Sequence, residues 1–305
     1  MALRDRYTGQ VRLLVRLLPM VAREPEFALK GGTAINLFLR DLPRLSVDID
    51  LVFLPRLDRP EALAAIDAAM RRIAASVRTE IPGANVSEQV NEDAVLRLLV
   101  SAEQAQVKLE ISPVLRGVVH EPVVRAVVAI VEESFGFAEA QLVSFEDLYA
   151  GKLVAALDRQ HPRDLFDVRE LLANEGLTDD LREVFLVYLL SHNRPMGEVL
   201  SGRVKDLRAE YRDSFEGMTA VAVPIEELVR TQAQLIGELI GGMPDRHREF
   251  LIGFERGEPE WSLLELSHIA DLPAVRWRQL NLSRAGAARR AQLVRLLEES
   301  LRRGK

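Results

Sequence analysis

The chain contains no cysteine, which excludes disulfides and thiolate metal sites. It also lacks any apolar run approaching the roughly 20 residues that a membrane helix needs. The leucine-rich start, Met1 to Glu24, is interrupted by Arg4, Arg6, Arg12, Arg16 and Arg23, and no cleavage pattern follows it. That start reads as an amphipathic helix, and a cytoplasmic protein without a membrane partner is expected. His120, His192, His247 and His268 show no metal spacing. Lysine is scarce: five of the forty basic residues, at 30, 108, 152, 205 and 305. Internal repeats and low-complexity segments are missing too.

What is present fits a folded protein of two domains. Its 305 residues, 48% hydrophobic and 28% charged, are enough for a sizeable core. The net charge of −6 hides an asymmetry. From Val275 to Lys305 nine basic residues (Arg276, Arg278, Arg284, Arg289, Arg290, Arg295, Arg302, Arg303, Lys305) face only Glu298 and Glu299, a local excess of seven that leaves −13 for the rest. Such a tail suits phosphate contacts; a solvated helix face or a contact for an acidic protein is the other reading.

The chemistry concentrates between Lys30 and Phe53. A short strand, Phe27 to Leu29, enters a Gly31-Gly32 turn, Thr33 to Leu42 has helical spacing, and Leu45 to Leu54 reads as a strand. Side chains alternate along a strand, so Asp48 and Asp50 share one face and Val47, Ile49 and Leu51 the other. Two like charges so close need compensation, for which a divalent cation is suited. Val107-Lys108-Leu109-Glu110-Ile111 alternates at the same period. Glu110 adds a third carboxylate if the strands are neighbours, or pairs with Lys108 two residues away on its own face. Three oxygen donors suit Mg²⁺ or Mn²⁺, which keep waters and take further ligands from substrate phosphates. Gly31 and Gly32 let backbone N–H groups approach a phosphate, at a helix start where Thr33 also serves as an ordinary cap.

Gly31-Gly32, Asp48-x-Asp50 and the acid at Glu110 together resemble the polymerase-β-like nucleotidyltransferases. Within that superfamily, Lys30-Gly31-Gly32-Thr33 followed by Ser46-Val47-Asp48-Ile49-Asp50-Leu51 is similar to the AbiEii toxin family, which includes the MenT toxins of type IV toxin–antitoxin systems. Ser144 to Asp167 and Leu272 to Leu282 resemble it too, so the likeness spans nearly the whole chain. The fold implied is α+β: a nucleotidyltransferase core with a mixed or antiparallel sheet over 1–140, then a helical domain over 141–305 that completes the NTP site and offers an RNA surface. The activity implied is metal-dependent transfer of NMP from an NTP to RNA, a tRNA 3′ end, under restraint by a cognate antitoxin. An NTP-binding regulator that transfers nothing, or nucleotidylation of a protein or small molecule, stays open.

By the same resemblance Asp48, Asp50 and Glu110 hold Mg²⁺ or Mn²⁺, and Lys30, Gly31, Gly32, Thr33, Ser46, Lys152 and Arg163 take the nucleotide. The resemblance implies that one of Asp164 and Asp167 is needed for activity, and Lys152 is read as a catalytic cation that holds the triphosphate and stabilises charge on the leaving pyrophosphate. Each has a plain alternative: mid-helix lysines are commonly exposed stabilisers, and Asp164 and Asp167 sit where a helix dipole favours acids anyway. Gly151, beside Lys152, costs the helix about 1 kcal/mol relative to Ala and lets something come close. His161 reads as a cap of the preceding helix or a solvated side chain, with general-base work as its other use. Trp261 and Trp277 read as buried anchors or as stacking platforms.

The rest of the chain is expected to form a helix from Arg59 to about Val77, strands near 86–90, 94–101, 105–112 and 123–132, and helices from Ser144 to Gln160, from Pro162 to Asn174 and from Thr178. Further helices are expected at 225–240, 246–255, 262–269 and 287–303.

Overall fold

The computed structural model describes residues 2–303 apart from 203 and 267, with the side chains of 2–6 and 303 left out. The expected roles of Arg4, Arg6, Arg303 and Lys305 therefore fall on side chains outside the described residues. The chain forms two compact units. One comprises the segment through Ser144 together with Phe215–Ala222; the other comprises Phe145–Ser214 and the chain from Val223 on.

The first unit is α+β. Helix α1 (Ala2–Val21) leads into β1 (Phe27–Lys30), a helix that opens as α2 (Gly31–Ala34) and ends in a wider π turn (Ile35–Leu39), and β2 (Asp48–Phe53). Then come α3 (Arg59–Glu80), β3 (Asn85–Asn91), β4 (Ala94–Ala102), β5 (Ala105–Ser112), β6 (Val123–Ala126), α4 (Ala129–Phe135) and β7 (Glu139–Leu142). Among the described residues seven strands make one mixed sheet in the order β3-β4-β5-β2-β1-β7-β6. The β2–β5 and β1–β7 pairs run parallel and the others antiparallel.

One face of this sheet is the core. Ile49 and Leu51 of β2, Val107, Leu109 and Ile111 of β5, and Leu98 and Val100 of β4 are all buried. α1 packs against β5 and α3 against β4. The stripe Ala62, Ile66, Ala69, Met70, Ile73 and Val77 recurs at helical spacing along α3, with Pro60 in its first turn. Each large apolar side chain buried this way stabilises the fold by about 1.5–3 kcal/mol, which fixes the strand phase, because a one-residue slip would turn the whole set outward. The other face of β2 and β5 carries the charged residues Asp48, Asp50, Lys108 and Glu110, with Val52 buried at the far end of β2.

The lead-in to β2 is held from far along the chain. Leu45 N–H donates to the Met218 carbonyl at 2.8 Å, Ala220 N–H to the Pro43 carbonyl at 3.1 Å, and Arg44 forms an isolated bridge with Thr219.

The second unit is helical: α5 (Phe145–Asp158), α6 (Pro162–Asn174), α7 (Asp179–Leu190), α8 (Met196–Val199), α9 (Arg208–Ser214), α10 (Ile225–Leu235, continued by a π turn to Gly241), α11 (Asp245–Arg256), α12 (Pro273–Arg284) and α13 (Ala287–Arg303). Thr178 caps α7 by accepting from Leu181 N–H. Gly176, at φ 71°, closes α6.

Several expected elements differ. The Val123–Glu132 run is a strand only to Ala126. Val127 leaves it and α4 follows, because burying Val131 against the core outweighs the β preference of a Val/Ile-rich stretch. β7, Glu-Ala-Gln-Leu, carries no β-branched residue and is a strand because β1 and β6 pair with it on both sides. The expected helix at 262–269 is two short 3₁₀ turns, Trp261–Leu263 and Ile269–Asp271; residue 267 lies outside the described set. α1 ends at Val21, short of Glu24, and the helix expected over Thr33–Leu42 begins at Gly31 and stops at Leu39.

Candidate active site

Parallel pairing of β2 with β5 places Asp48 opposite Lys108 and Asp50 opposite Glu110. On the other side of β2, Lys30 lies opposite Asp50, and on the far side of β5, Arg97 lies opposite Glu110. Directly paired residues project to the same side of a sheet. Asp48, Asp50 and Glu110 therefore share a face with Lys30, Lys108 and Arg97, all six partly exposed while their strand neighbours are buried.

Glu110 has both oxygens engaged: Oε1 accepts from Arg97 Nη2 at 2.5 Å and Oε2 from Lys108 Nζ at 2.8 Å. Burial pushes the Glu110 carboxyl up, but Arg97 and Lys108 outweigh it and hold it below the usual glutamate range. Lys108 is the mirror case. Burial pulls its ammonium down, and Glu110, Asp48 and Asp50 together raise it above its ordinary value. Lys108 thus lies in the field of all three carboxylates.

The glycine pair is explained by what lies against it. Gly31 has φ 75°, and a Cβ built on it would stand 2.7 Å from Asp50 Oδ2. A Cβ on Gly32 would stand 2.4 Å from Arg44 Nη2 and 3.1 Å from Ser46 Oγ. The turn is thus drawn against the second aspartate by one glycine and against a buried guanidinium by the next. Thr33 Oγ1 donates at 2.5 Å to the Asp48 carbonyl and lies 3.0 Å from Ser46 Oγ, so the turn and the aspartate strand are stitched at buried positions. Arg44 Nη1 donates to the Leu45 carbonyl at 3.0 Å.

Among the described residues this face offers oxygen donors only, carboxylate and hydroxyl, with no imidazole beside them. Hard, anionic oxygens partly withdrawn from water fit Mg²⁺ or Mn²⁺ rather than zinc or copper. Asp48 and Asp50 fit such an ion as they stand. Glu110 already accepts one bond on each oxygen, so an ion held there would sit against Arg97 and Lys108.

The helical unit holds a second cluster. Lys152, in the middle of α5, is buried rather than exposed, and its Nζ lies 2.8 Å from Asp164 Oδ1 and 3.0 Å from Asp167 Oδ2 on α6. Arg159 adds bonds to both oxygens of Asp164, at 2.6 and 3.0 Å. Burial pushes the Asp164 carboxyl up, yet Lys152 and Arg159 overcome it and hold it far below the usual aspartate range. Arg163 is half-buried at the second position of α6. Gly151 faces Tyr188 of α7, whose Cε1 would stand 3.2 Å from an added Cβ, so the close approach that this glycine permits is helix packing. His161 caps α6, not the helix before it: its Nδ1 accepts from Arg163 N–H at 3.1 Å while Nε2 meets Ser214 Oγ at 2.9 Å. Trp261 is an anchor against Phe250 and Phe254, whereas Trp277 stands 57% exposed on α12.

In the basic C-terminal stretch, Arg278 is committed internally, to Glu255 and to the carbonyls of His192 and Arg194. Arg284, Arg289 and Arg295 are exposed.

Three side chains of these clusters were not singled out in the sequence. Arg44 continues the period-two series Arg44-x-Ser46-x-Asp48-x-Asp50, and Arg97 is the lone charge of a mainly apolar strand; both are readable signals. Arg159 closes α5 in a polar stretch and gives none.

Residues 12–277 match the family model described as nucleotidyl transferase AbiEii toxin, type IV TA system. In structure the chain is similar to MenT4, a nucleotidyltransferase toxin from Mycobacterium tuberculosis H37Rv. The TM-score is 0.55 at 15% sequence identity, covering 98% of this chain and 94% of that one. No curated protein matches it in sequence.

Proposed function

The chain belongs to the nucleotidyl transferase AbiEii toxin family of type IV toxin–antitoxin systems, and from that premise we propose that it transfers NMP from an NTP to an RNA acceptor, a tRNA 3′ end, stopping translation and growth. The observation that carries this reading is the register of Asp50 with Glu110 beside a glycine turn drawn against Asp50 itself.

In this reading Asp48 and Asp50 hold Mg²⁺ or Mn²⁺, and Glu110 is the third acid of their face. The bound ion supplies charge neutralisation at the reacting phosphate and activation of the attacking hydroxyl. The protein's own contribution is positioning. Lys30, Gly31, Gly32 and Thr33 present backbone and ammonium to phosphate oxygens, with Ser46 bracing the turn through Thr33. In the helical unit, Lys152 and Arg163 are proposed as cations for the triphosphate and for charge developing on pyrophosphate as it leaves. Asp164 and Asp167 fix the Lys152 ammonium, and loss of either is proposed to impair transfer. Exposed arginines of α12 and α13 are proposed to track the RNA backbone. A cognate antitoxin is the partner expected, and the cytoplasm the place of action.

The test is incubation of the full chain with each labelled NTP, total tRNA and Mg²⁺ or Mn²⁺. Label on tRNA, lost in Asp50→Ala together with growth inhibition on expression, is the expected result. Nucleotide affinity without labelled RNA, label on protein or small molecules, or toxicity that survives Asp50→Ala refutes the proposal.

A further inference from the structure

We propose that Lys108 is a built-in counter-ion of the carboxylate face, tethered by Glu110, so that the face takes a single divalent ion on Asp48 and Asp50 while Glu110 holds the ammonium rather than the metal. The inference rests on the nucleotidyl-transfer reading above and specifies how its cations are arranged.

Three observations carry it. First, the two oxygens of Glu110 are each held, by Arg97 Nη2 at 2.5 Å and by Lys108 Nζ at 2.8 Å. A glutamate clamped between two cations keeps one lone pair on each oxygen, and an inner-sphere ion taking either would have to settle against both cations. Second, register alone puts Lys30, Lys108 and Arg97 on the face that carries Asp48, Asp50 and Glu110. Three bases against three acids make the face neutral before any ion arrives. One divalent ion leaves it at +2, a match for an incoming polyphosphate; a second would have to enter against the ammonium already seated there. Third, the side chain is a lysine in a chain whose other basic residues are nearly all arginine. Lysine ends in a compact point charge able to stand where a small cation would, which a planar guanidinium cannot imitate. The position is also rigid. Val107 and Leu109, its neighbours on β5, are fully buried, so the strand cannot slide to carry Lys108 away.

The consequence is a carboxylate face in which one of the positive charges that would meet a polyphosphate is part of the polypeptide. Lys108 is a positioning residue here, acting on ion number and affinity.

The experiment is a Mn²⁺ titration of the full chain without nucleotide, free ion being read by electron paramagnetic resonance. Wild type should bind one ion per chain. Lys108→Met should tighten that ion by about tenfold or more, the lower bound for removing a water-screened charge beside a divalent ion, and admit a second. Lys108→Arg, which keeps the charge and loses only the compact shape, should still exclude a second ion by repulsion. The double variant Lys108→Met/Glu110→Gln conserves the net charge and should bind its ion within about threefold of wild type. Should Lys108→Met fail to fold by circular dichroism, Lys108→Gln and the double variant read the same question. Two ions in wild type, unchanged binding in the single variant, or loss of the ion in the double variant overturns the inference alone. No Mn²⁺ in wild type, or binding unaffected by Asp50→Asn, overturns the transfer-site reading with it.

Discussion

Gly31 and Gly83 provide a matched pair for testing what the glycine turn is for. Both hold φ near +75°, 75° and 74°, where an L side chain is strained. An added Cβ at Gly83 meets nothing within 4 Å, whereas one at Gly31 falls 2.7 Å from Asp50 Oδ2 and 3.3 Å from Asp50 Cβ. Gly83→Ala therefore measures the backbone cost alone, about 1–2 kcal/mol, or a Tm drop of about 2–8 °C. Gly31→Ala carries the same backbone cost and also forces the Asp50 carboxylate aside, by roughly 0.5–1 Å to restore ordinary contact. A misplacement on that scale at a reacting centre costs about 10²-fold in rate. Thermal melts and tRNA labelling on both variants, with Mn²⁺ titration beside them, separate the two effects. The expected pattern is similar loss of stability in the pair, with transfer and Mn²⁺ affinity falling only in Gly31→Ala. Transfer by Gly31→Ala within about threefold of Gly83→Ala would refute the claim that this glycine exists to seat the aspartate.

Three further outcomes are expected. Gly32→Ala should be strongly destabilising in wild type and less so in an Arg44→Ala background, because the guanidinium that a Cβ would strike is then gone; additive melts in a double-mutant cycle would contradict this. Asp164 is held below its unfolded value near 3.9, so it contributes stability above the ordinary carboxylate range that is lost as pH falls; Asp164→Asn should lower stability at neutral pH by about 3–5 kcal/mol and flatten the acid limb of a Tm-against-pH curve. Gly151→Ala should change stability by no more than about 1 kcal/mol, the gain in helix propensity being offset by crowding of Tyr188, and should leave transfer intact; a selective loss of activity would show that a ligand, not a tyrosine, uses that space.

What the sequence discloses follows the range of the physics involved. Period-two alternation in Asp48–Phe53 and Ala105–Ser112 reports strands and faces directly, since a side chain's direction is a local matter. The parallel register that sets Asp50 against Glu110 is not local, so from the sequence the third carboxylate remained conditional on the strands being neighbours, with an ion pair to Lys108 as its other use. In the structure Glu110 both lies beside Asp50 and makes that pair. The glycines show the same boundary. A sequence reports that a Cβ is unwelcome at 31 and 32 but not what would meet it. Glycines at a helix start point outward to a phosphate, whereas the nearest atoms here belong to Asp50, Arg44 and Ser46. Lys152 and Gly151 read as possible surface and ligand features because a helix interior has no sequence mark for which neighbouring helix covers it. The Val123–Glu132 run misled because its β-branched residues report propensity, while Val131 obeys burial.

The short return of the chain at residues 215–222 has a bearing on synthesis. A nascent polypeptide with only its first 144 residues outside the ribosome has every strand of the sheet, yet not the hydrogen-bond partners of Pro43 and Leu45 that brace the approach to Asp48. Those partners are translated some seventy residues later, after five helices of the other unit. An abortive product cut short in that interval would carry all three acids without the clasp that holds their strand's entry.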